Sequence, residues 1–296
     1  MPRYGSLTEH DATLNFYQGC RRVDTGPLGA CTGCYIFRPW FNRMKTQRTG
    51  TDMNHLGYND FGNQIRQLRS WIHNEDGGPA LRRVLLDDMS DGFHEDIPFD
   101  RIERLHTEVI EGFPDMTFRV LTKRIGRALM FYRKRERGVP PNAWIGTTIA
   151  ARNRLQRLDI LRQIKGIPHT NAVWVSVEPY LQDLTADPAT GEPDPEFSLK
   201  GVDLIVVGGE SGEGARPMDP RWVVNLNRVA ERDGCLVFYK QAGSTRPRQG
   251  AGGDTCPCCG RRNHDREALD RLQDRLAATD LVYTSKLNKT KQAKPT

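Results

Sequence analysis

Short apolar runs recur along the chain, and their starts are 25 to 34 residues apart. The runs are nearly continuous in apolar character, which is typical of strands buried on both faces of a parallel sheet. A seventh strand is expected in the stretch ATLNFY before the first cysteine. The six clear runs lie at 84–89, 118–123, 143–149, 172–179, 203–210 and 235–241.

Between these runs, apolar residues recur at helical spacing. Four such segments are 101–113, 124–137, 151–166 and 219–234, and the last opens with Asp219 and Pro220 and closes with Gly234, as a capped helix does. The alternation of strands and helices predicts an α/β fold with parallel strands, either a partial or complete (β/α) TIM-like barrel or an open doubly wound sheet. We favour the barrel.

Two domains are expected, a barrel at 1–243 and a small cysteine-containing extension at 244–296. The extension is rich in Gly, Arg and Cys and has an amphipathic helix at 267–278, followed by a polar, basic tail that we expect to be disordered. Residues 183–200 form an acidic, Pro-rich stretch that we expect to be a surface insertion.

Composition favours a soluble globular protein, with 37% hydrophobic and 27% charged residues among 296. No apolar run approaches the roughly 18–20 residues of a membrane helix, and the amino terminus lacks the apolar segment of a signal peptide. We therefore expect no membrane partner and a cytoplasmic location. The net charge of +6 is compatible with a nucleic acid or nucleotide partner.

Polar residues follow each predicted strand. Because the functional face of a βα barrel lies at the carboxyl ends of its strands, we expect these side chains to meet at one pocket. Asp88, Lys123 and Lys240 are the catalytic candidates, and His94 is either an acid, base or ligand or a capping histidine. The polar strand ends are Asp87, Asp88, Ser90, Asp91, Thr122, Lys123, Thr147, Thr148, Glu178, Gly208, Gly209, Glu210, Ser211, Lys240 and Gln241.

The loop GGESGEGARPMDPRW at 208–222 is the most specific of these strand ends. Its glycines let the backbone approach a ligand, and Glu210 offers a carboxylate to an ammonium group or a ribose hydroxyl. The P-loop and G-x-G-x-x-G motifs are absent, which argues against a P-loop nucleotide site and a Rossmann dinucleotide site. The candidate cofactor-binding residues are Glu178, Gly208, Gly209, Glu210 and Ser211.

Cys20, Cys31 and Cys34 form a C-x10-C-x2-C array among seven cysteines that are mostly clustered. An odd, clustered set is a poor disulfide framework and more often binds metal in a cytosolic chain. Three thiolates suit a [4Fe–4S] cluster whose fourth iron is free to bind S-adenosylmethionine, whereas structural zinc requires a fourth ligand. The spacing alone leaves both open.

A second cysteine group lies in the stretch CPCCG, with Cys256, Cys258 and Cys259. The proline and glycine suit a tight turn that aims two thiolates at one metal, and His264 is a further candidate ligand. Zinc, an auxiliary iron–sulfur cluster and thiols that carry no metal all remain open for this group.

The chain resembles the phage-associated three-cysteine-motif proteins. The matching pieces span about 9–243 and are DATLNFYQGC, ACTGCY, MSDGFHEDIPF, RVLTKR, VWVSVEP, IVVGGESGEGARPM and VFYKQAG; CPCCG has no counterpart among them. That family is similar to a divergent branch of the radical S-adenosylmethionine enzymes. The resemblance implies a [4Fe–4S] cluster, S-adenosylmethionine, an electron donor and, for a phage protein, the cytoplasm of a bacterial host.

The resemblance also implies a mode of cofactor binding and a reaction. A GGE motif holds the methionine amino group in radical S-adenosylmethionine enzymes, but 208–210 lies later than usual, so Glu178 and Asp88 are alternatives. A 5′-deoxyadenosyl radical acting on a nucleic-acid base or nucleotide is the favoured reaction. Two rivals are a zinc-stabilised phage nucleic-acid-binding protein without catalysis and a barrel hydrolase with Asp88, His94 and Glu178 at a metal.

Overall fold

A seven-stranded parallel sheet is the centre of the computed structural model, which describes residues 10–49, 52–73, 81–243, 256–260, 270–272 and 274. The seven predicted strands all form. The strands, numbered along the chain, are β1 (Ala12–Leu14), β2 (Tyr17–Gln18), β3 (Gly57–Tyr58), β4 (Arg83–Leu86), β5 (Thr117–Thr122), β6 (Ala143–Thr148), β7 (Ala172–Val177), β8 (Leu204–Gly208) and β9 (Leu236–Gln241).

The strand order in the sheet is β1-β4-β5-β6-β7-β8-β9, and every neighbouring pair is parallel. The order follows the chain without the reversal that defines a doubly wound sheet. Crossovers between neighbouring parallel strands are almost always right-handed, which places their helices on one face of the sheet. The sheet curls into a half-barrel. The small strands β2 and β3 form a separate antiparallel pair.

Six α-helices lie in the described chain, and four of them match predicted segments. The helices are α1 (Pro39–Thr49), α2 (Phe61–His73), α3 (Phe99–Leu105), α4 (Ile125–Lys134), α5 (Gln156–Lys165) and α6 (Pro220–Asp233). A π-helical turn (His106–Ile110) continues α3. In α6, the Asp219 side chain accepts the Arg221 N–H at 2.8 Å, and Gly234 ends the helix at φ +73°.

Both faces of the sheet are buried, as the continuous apolar runs predict. One face packs its aliphatic side chains against the helices in the main core, where Val120 meets residues such as Leu129 and Leu161. The opposite face is filled by the buried indoles of Trp144 and Trp174. The main core and this second cluster together enclose the sheet.

Gly146 makes the packing of the two indoles feasible. A Cβ atom at this position would lie 2.3 Å from the Trp174 ring, which occupies the space beside it. The Trp174 Nε1–H donates to the Trp144 carbonyl at 3.0 Å. The buried Arg119 guanidinium lies 5.2 and 5.5 Å from the ring centres of Trp144 and Trp174.

The described residues after 243 pack against the half-barrel. Residues 270–272 and 274 are helical, within the segment predicted as an amphipathic helix, and Leu272 joins the cluster around the indoles. Asp270 pairs with Arg83 at 2.7 Å, and Asp274 pairs with Arg82 at 3.1 Å. The rest of the predicted helix and the basic tail lie outside the described residues.

The segment 183–200, predicted as an acidic insertion, lies in the connection between β7 and β8. Residues 178–203 contain no helix, and Phe197 and Leu199 reach back into the main core. Asp194 in this segment pairs with Arg152.

Within the part of the chain that the structure describes, no helix has both the length and the apolar character required to cross a bilayer.

Candidate functional site

A cavity of about 550 Å³ opens at the carboxyl ends of the parallel strands. Six neighbouring strands contribute to its lining, so the polar strand ends converge as their register predicts. A cavity of this size falls within the roughly 300–1,000 Å³ of small-molecule sites. One lining residue from the end of each strand, in the order β4 to β9, is Asp87, Lys123, Thr148, Ser176, Gly209 and Lys240.

Cys20, Cys31 and Cys34 all line this cavity. The backbone around Cys20 is fixed by the loops beside it, because its N–H donates to the Met53 carbonyl at 3.0 Å. The preceding Gly19 adopts φ +80° and donates to the Met89 carbonyl at 3.0 Å. The first cysteine therefore lies between the β3 loop and the end of β4.

The ten-residue spacer between Cys20 and Cys31 is anchored at two places. At the first anchor, the buried Asp24 carboxylate pairs with Arg154 at 2.9 Å and with Arg157 at 3.3 Å. The Asp24 carbonyl also accepts the Cys31 N–H at 2.8 Å. Asp24 thus joins the second cysteine to the start of α5.

Arg216 forms the second anchor of the spacer. Its Nη1 donates to the carbonyls of Pro27 at 2.8 Å and Gly29 at 3.1 Å, while its Nε donates to Glu210 Oε2 at 2.7 Å. A Cβ atom at Gly33 would lie 2.0 Å from Glu210 Oε1, so the cysteine loop fits closely against this carboxylate. The Glu210 carboxylate therefore binds Arg216 and packs against the cysteine loop at Gly33.

Burial is the main influence on the pKa of Cys20 and of Cys34. It raises the pKa of Cys20 to about 11, where Asp91 adds to the rise and Arg124 opposes it from 3.8 Å. Burial also raises the pKa of Cys34, and the Lys123 cation opposes the rise at both cysteines. The Cys20 and Cys34 thiols are therefore protonated at neutral pH, and metal binding to them would displace protons.

The donor set fits an iron–sulfur cluster in its chemistry. Cys20, Cys31 and Cys34 bring three thiols to one cavity, and the Cys31 and Cys34 sulfurs interact electrostatically. Among the residues that the structure describes, however, no three His, Cys, Asp or Glu side chains converge closely enough to hold a metal ion. The thiols would have to approach one another when a cluster is bound.

Glu178 and Lys240 place opposite charges side by side in the cavity. The Lys240 Nζ lies 3.0 Å from Glu178 Oε1, and the Ser176 hydroxyl donates to Glu178 Oε2 at 3.3 Å. A Cβ atom at Gly208 would lie 2.9 Å from Glu178 Oε1. The glycine at the end of β8 therefore leaves room for the carboxylate.

Asp88 also lines the cavity, at the end of β4. Its Oδ1 accepts the Asn15 side-chain amide at 2.7 Å, and its carbonyl accepts the Tyr35 hydroxyl at 2.8 Å. The neighbouring Asp87 is buried and accepts the backbone N–H groups of Phe16 and Tyr17. Burial raises the pKa of Asp87 to about 7.

The other predicted cofactor-binding positions lie around Gly209. The closely packed Gly209 lines the cavity, and a Cβ atom there would lie 1.9 Å from the Ala242 carbonyl oxygen. Ser211 also lines the cavity, and its hydroxyl accepts the Gln241 side-chain amide at 3.0 Å. The Ser211 carbonyl accepts Arg38 at 3.1 Å, which ties this loop to the cysteine loop.

The structure does not bring His94 into the cavity. The residue is buried, and its Nδ1 accepts the Asp96 N–H at 3.1 Å within the turn that precedes α3. Burial lowers its pKa. The three side chains of the hydrolase hypothesis are therefore not together, because Asp88 and Glu178 line the cavity and His94 does not.

The second cysteine group lies beside α6, away from the lining of the cavity. The Cys258 N–H donates to the buried Cys256 Sγ at 3.4 Å, and the Gly260 N–H donates to the Cys256 carbonyl at 2.9 Å. The Cys258 thiol donates to the Val223 carbonyl at 3.7 Å. Metal binding by Cys256, Cys258 and Cys259 stays a prediction, and His264 lies outside the described residues.

Several residues that build the site were not among the predicted site residues. His10, Tyr35 and Arg124 line the cavity, and Arg216 holds the spacer. Arg124 directly follows a polar strand end and Arg216 lies in the Gly-rich loop, so both had a local signal. Asp24 had none, because its partners are 130 and 133 residues away.

Comparison with known proteins identifies a family. A family profile with the description "Protein of unknown function (DUF5131)" matches residues 6–293, which is nearly the whole chain, so the chain belongs to this family. None of the curated proteins compared with the chain gives a significant match.

Proposed function

We propose that this member of the DUF5131 family is a radical S-adenosylmethionine enzyme related to the phage-associated three-cysteine-motif proteins, with a half-barrel of the TIM-like type. Cys20, Cys31 and Cys34 would hold a [4Fe–4S] cluster. The observation that carries the proposal is that all three thiols line one cavity at the carboxyl ends of the strands. When bound, such a cluster supplies the electron that cleaves S-adenosylmethionine to methionine and a 5′-deoxyadenosyl radical.

The pair of Glu178 and Lys240 supports the choice of cofactor. The methionine part of S-adenosylmethionine carries an ammonium and a carboxylate on one carbon, and the pair offers the complementary charges 3.0 Å apart. Glu178 would accept the ammonium and Lys240 would bind the carboxylate. Glu210, from the GGE motif, is less available because Arg216 engages it.

The anchored spacer supports the same proposal from the other side of the cavity. Asp24 and Arg216 tie the loop to elements after β6 and β8, so the loop extends over the ends of the strands. A covered mouth excludes water from a reactive intermediate and holds a substrate carbon close to it. Lys123 and Arg124 bring positive charge to the thiols, which favours the thiolate forms that bind iron.

The proposal is tested by anaerobic reconstitution with iron and sulfide. We expect a brown wild-type protein with about four irons per chain, as the cluster type requires. Cys20→Ala, Cys31→Ala and Cys34→Ala should each lose most of this iron. Cys235→Ala is the matched control, because Cys235 is buried in the main core and away from the cavity, and it should retain the iron.

Two outcomes would overturn the proposal. A colourless protein that binds stoichiometric zinc through the same cysteines would instead support the zinc-stabilised alternative. Equal iron loss in the Cys235→Ala control would show that the cysteines of the cavity have no special role.

A further inference from the structure

The segment that contains the three cysteines is strongly basic. Residues 20–49 include six Lys or Arg residues and one acidic residue, Asp24. Asp24 is fully buried between Arg154 and Arg157, so its charge does not reach the surface. In the part of the chain that the structure describes, no carboxylate forms an ion pair with the exposed Arg22 or Arg43.

Exposed aromatic rings accompany these cations. Trp40 is 58% exposed at the start of α1, and Tyr35 and Tyr58 are 40% and 44% exposed. Exposed aromatic rings that lie close together are enriched at surfaces that contact a partner. The buried indoles Trp144 and Trp174 show that this chain otherwise places such rings in its interior.

Contacts link several of these cations and rings, through Asp96 as the one exposed carboxylate among the linked residues, into a surface here termed the basic-aromatic band. The Arg101 guanidinium stacks 4.1 Å from the centre of the Tyr58 ring. The Tyr58 hydroxyl donates to the backbone carbonyl of Asp96, and the Asp96 carboxylate pairs with Arg21. Arg22 then stacks on Phe37 at 4.1 Å, directly before α1. The band comprises Arg21, Arg22, Tyr35, Phe37, Arg38, Trp40, Arg43, Tyr58 and Arg101.

The band borders the cavity, because Arg21, Tyr35 and Phe37 belong to both. A ligand lying along the band would therefore pass the opening that leads to the three cysteines. Arginines match phosphates, and exposed aromatic rings match unpaired bases, which have a free π-face in a single strand but are stacked inside a duplex.

We infer that the basic-aromatic band binds single-stranded nucleic acid and presents one nucleobase to the cavity. This inference names the substrate class of the proposed enzyme and rests on that proposal for its chemistry. Binding itself does not require the cluster, so it can be measured on cluster-free protein.

The test is fluorescence anisotropy of labelled single-stranded DNA, single-stranded RNA and duplex DNA of one sequence, titrated with cluster-free protein. Trp40→Ala should weaken single-strand binding by about fivefold or more, since one stacked base is lost. Arg22→Gln/Arg43→Gln should weaken it similarly and reduce the slope of log Kd against log salt by roughly 1.4 for two phosphate contacts. The DNA and RNA arms show which strand the band prefers.

Two variants on α4 are matched controls. Met130→Ala removes an exposed apolar side chain, 55% exposed, and Arg133→Gln/Lys134→Gln removes two exposed positive charges. Both should bind within about twofold of wild type, because α4 lies on the helical side of the sheet. Thermal melting of all variants confirms that they are folded.

Three outcomes would overturn the inference. They are no detectable binding, equal affinity for single strand and duplex, and control variants that weaken binding as much as the band variants. The two proposals fail on different measurements. Oligonucleotide binding without S-adenosylmethionine cleavage would contradict the enzyme proposal and leave the binding inference intact. Cleavage without oligonucleotide binding leaves only the enzyme proposal intact.

Discussion

Arg216 and Glu210 form a two-point ion pair in which the Arg216 Nε lies 2.7 Å from Glu210 Oε2. The same guanidinium donates to the carbonyl of Gly29 in the cysteine loop. The carboxylate of the GGE motif thus holds Arg216 in place, and Arg216 holds the loop of the C-x10-C-x2-C array. The Gly-rich loop after β8 and the cysteine loop before α1 form one unit.

Arg216→Ala should loosen the cysteine loop. The substitution removes the donors to two carbonyls and leaves the nearly buried Glu210 without its main partner, so the free energy of unfolding should fall by about 1–3 kcal/mol. Urea denaturation measures this change. Arg221→Ala is the matched control, because its pair with Asp219 is solvent-exposed on the Arg221 side and should contribute less than about 1 kcal/mol. Equal losses in the two variants would contradict a structural role for Arg216.

Glu178→Gln and Lys240→Met should each weaken S-adenosylmethionine binding by about tenfold or more, since each removes one charge-assisted contact of the methionine group. Isothermal titration calorimetry on reconstituted protein without reductant measures the affinity. Lys200→Met, at an exposed lysine that does not line the cavity, should leave the affinity unchanged. Unchanged affinity in both cavity variants would move the assignment to Asp88.

Asp87 should make stability depend on pH. Burial raises its pKa to about 7, whereas the unfolded chain has the ordinary value of 3.8. Between these values the folded state holds a proton that the unfolded state lacks, so unfolding free energy falls as pH rises, by up to about 1.4 kcal/mol per pH unit.

Asp87→Asn removes this titration, and asparagine tolerates the φ of +57° at this position. The variant should therefore gain stability relative to wild type as pH rises from about 5 to about 8. Urea denaturation across this range provides the measurement. For the exposed control Asp115→Asn, the plot of unfolding free energy against pH should run parallel to that of wild type. A parallel plot for Asp87→Asn would refute the raised pKa of Asp87.

Gly146→Ala should disturb the indole packing inside the half-barrel. The added methyl group would overlap the Trp174 ring, and such overpacking costs about 1–3 kcal/mol. Gly126→Ala is the control, because nothing lies within 4 Å of the added atom in α4, and it should be neutral or stabilising by up to about 1 kcal/mol. Thermal melting and near-ultraviolet circular dichroism measure the stability and the indole environment of both variants. A melting temperature and a spectrum of Gly146→Ala equal to those of wild type would contradict the packing described.

The strands and the four matching helices were predictable because their signals are local. A run such as AVWVSV is apolar except for Ser176 and becomes β7, and Asp219, Pro220 and Gly234 mark both ends of α6. The helix α1 has no comparable apolar stripe, and Phe41 packs in a small cluster with Ile36 and Met53. Its helical state follows from that tertiary packing, which sequence periodicity does not show.

The candidate site was predictable only in outline. Parallel strands must end at one edge, so the meeting of Lys123, Glu178 and Lys240 followed from their register. The pairing of Asp24 with Arg154 and Arg157 depends on the folding of a loop over the sheet. The hydrogen bond from the Asp96 N–H to His94 depends on the geometry of a local turn. Neither relationship is encoded in a spacing along the chain.

Cleavage of S-adenosylmethionine tests the central claim most directly. Reconstituted protein is incubated anaerobically with dithionite and S-adenosylmethionine, and 5′-deoxyadenosine is measured by chromatography. We predict 5′-deoxyadenosine and methionine in equal amounts with wild type and with Cys235→Ala, and neither product above background with Cys31→Ala. Absence of 5′-deoxyadenosine from wild-type protein that carries an intact, reducible cluster would contradict the claim.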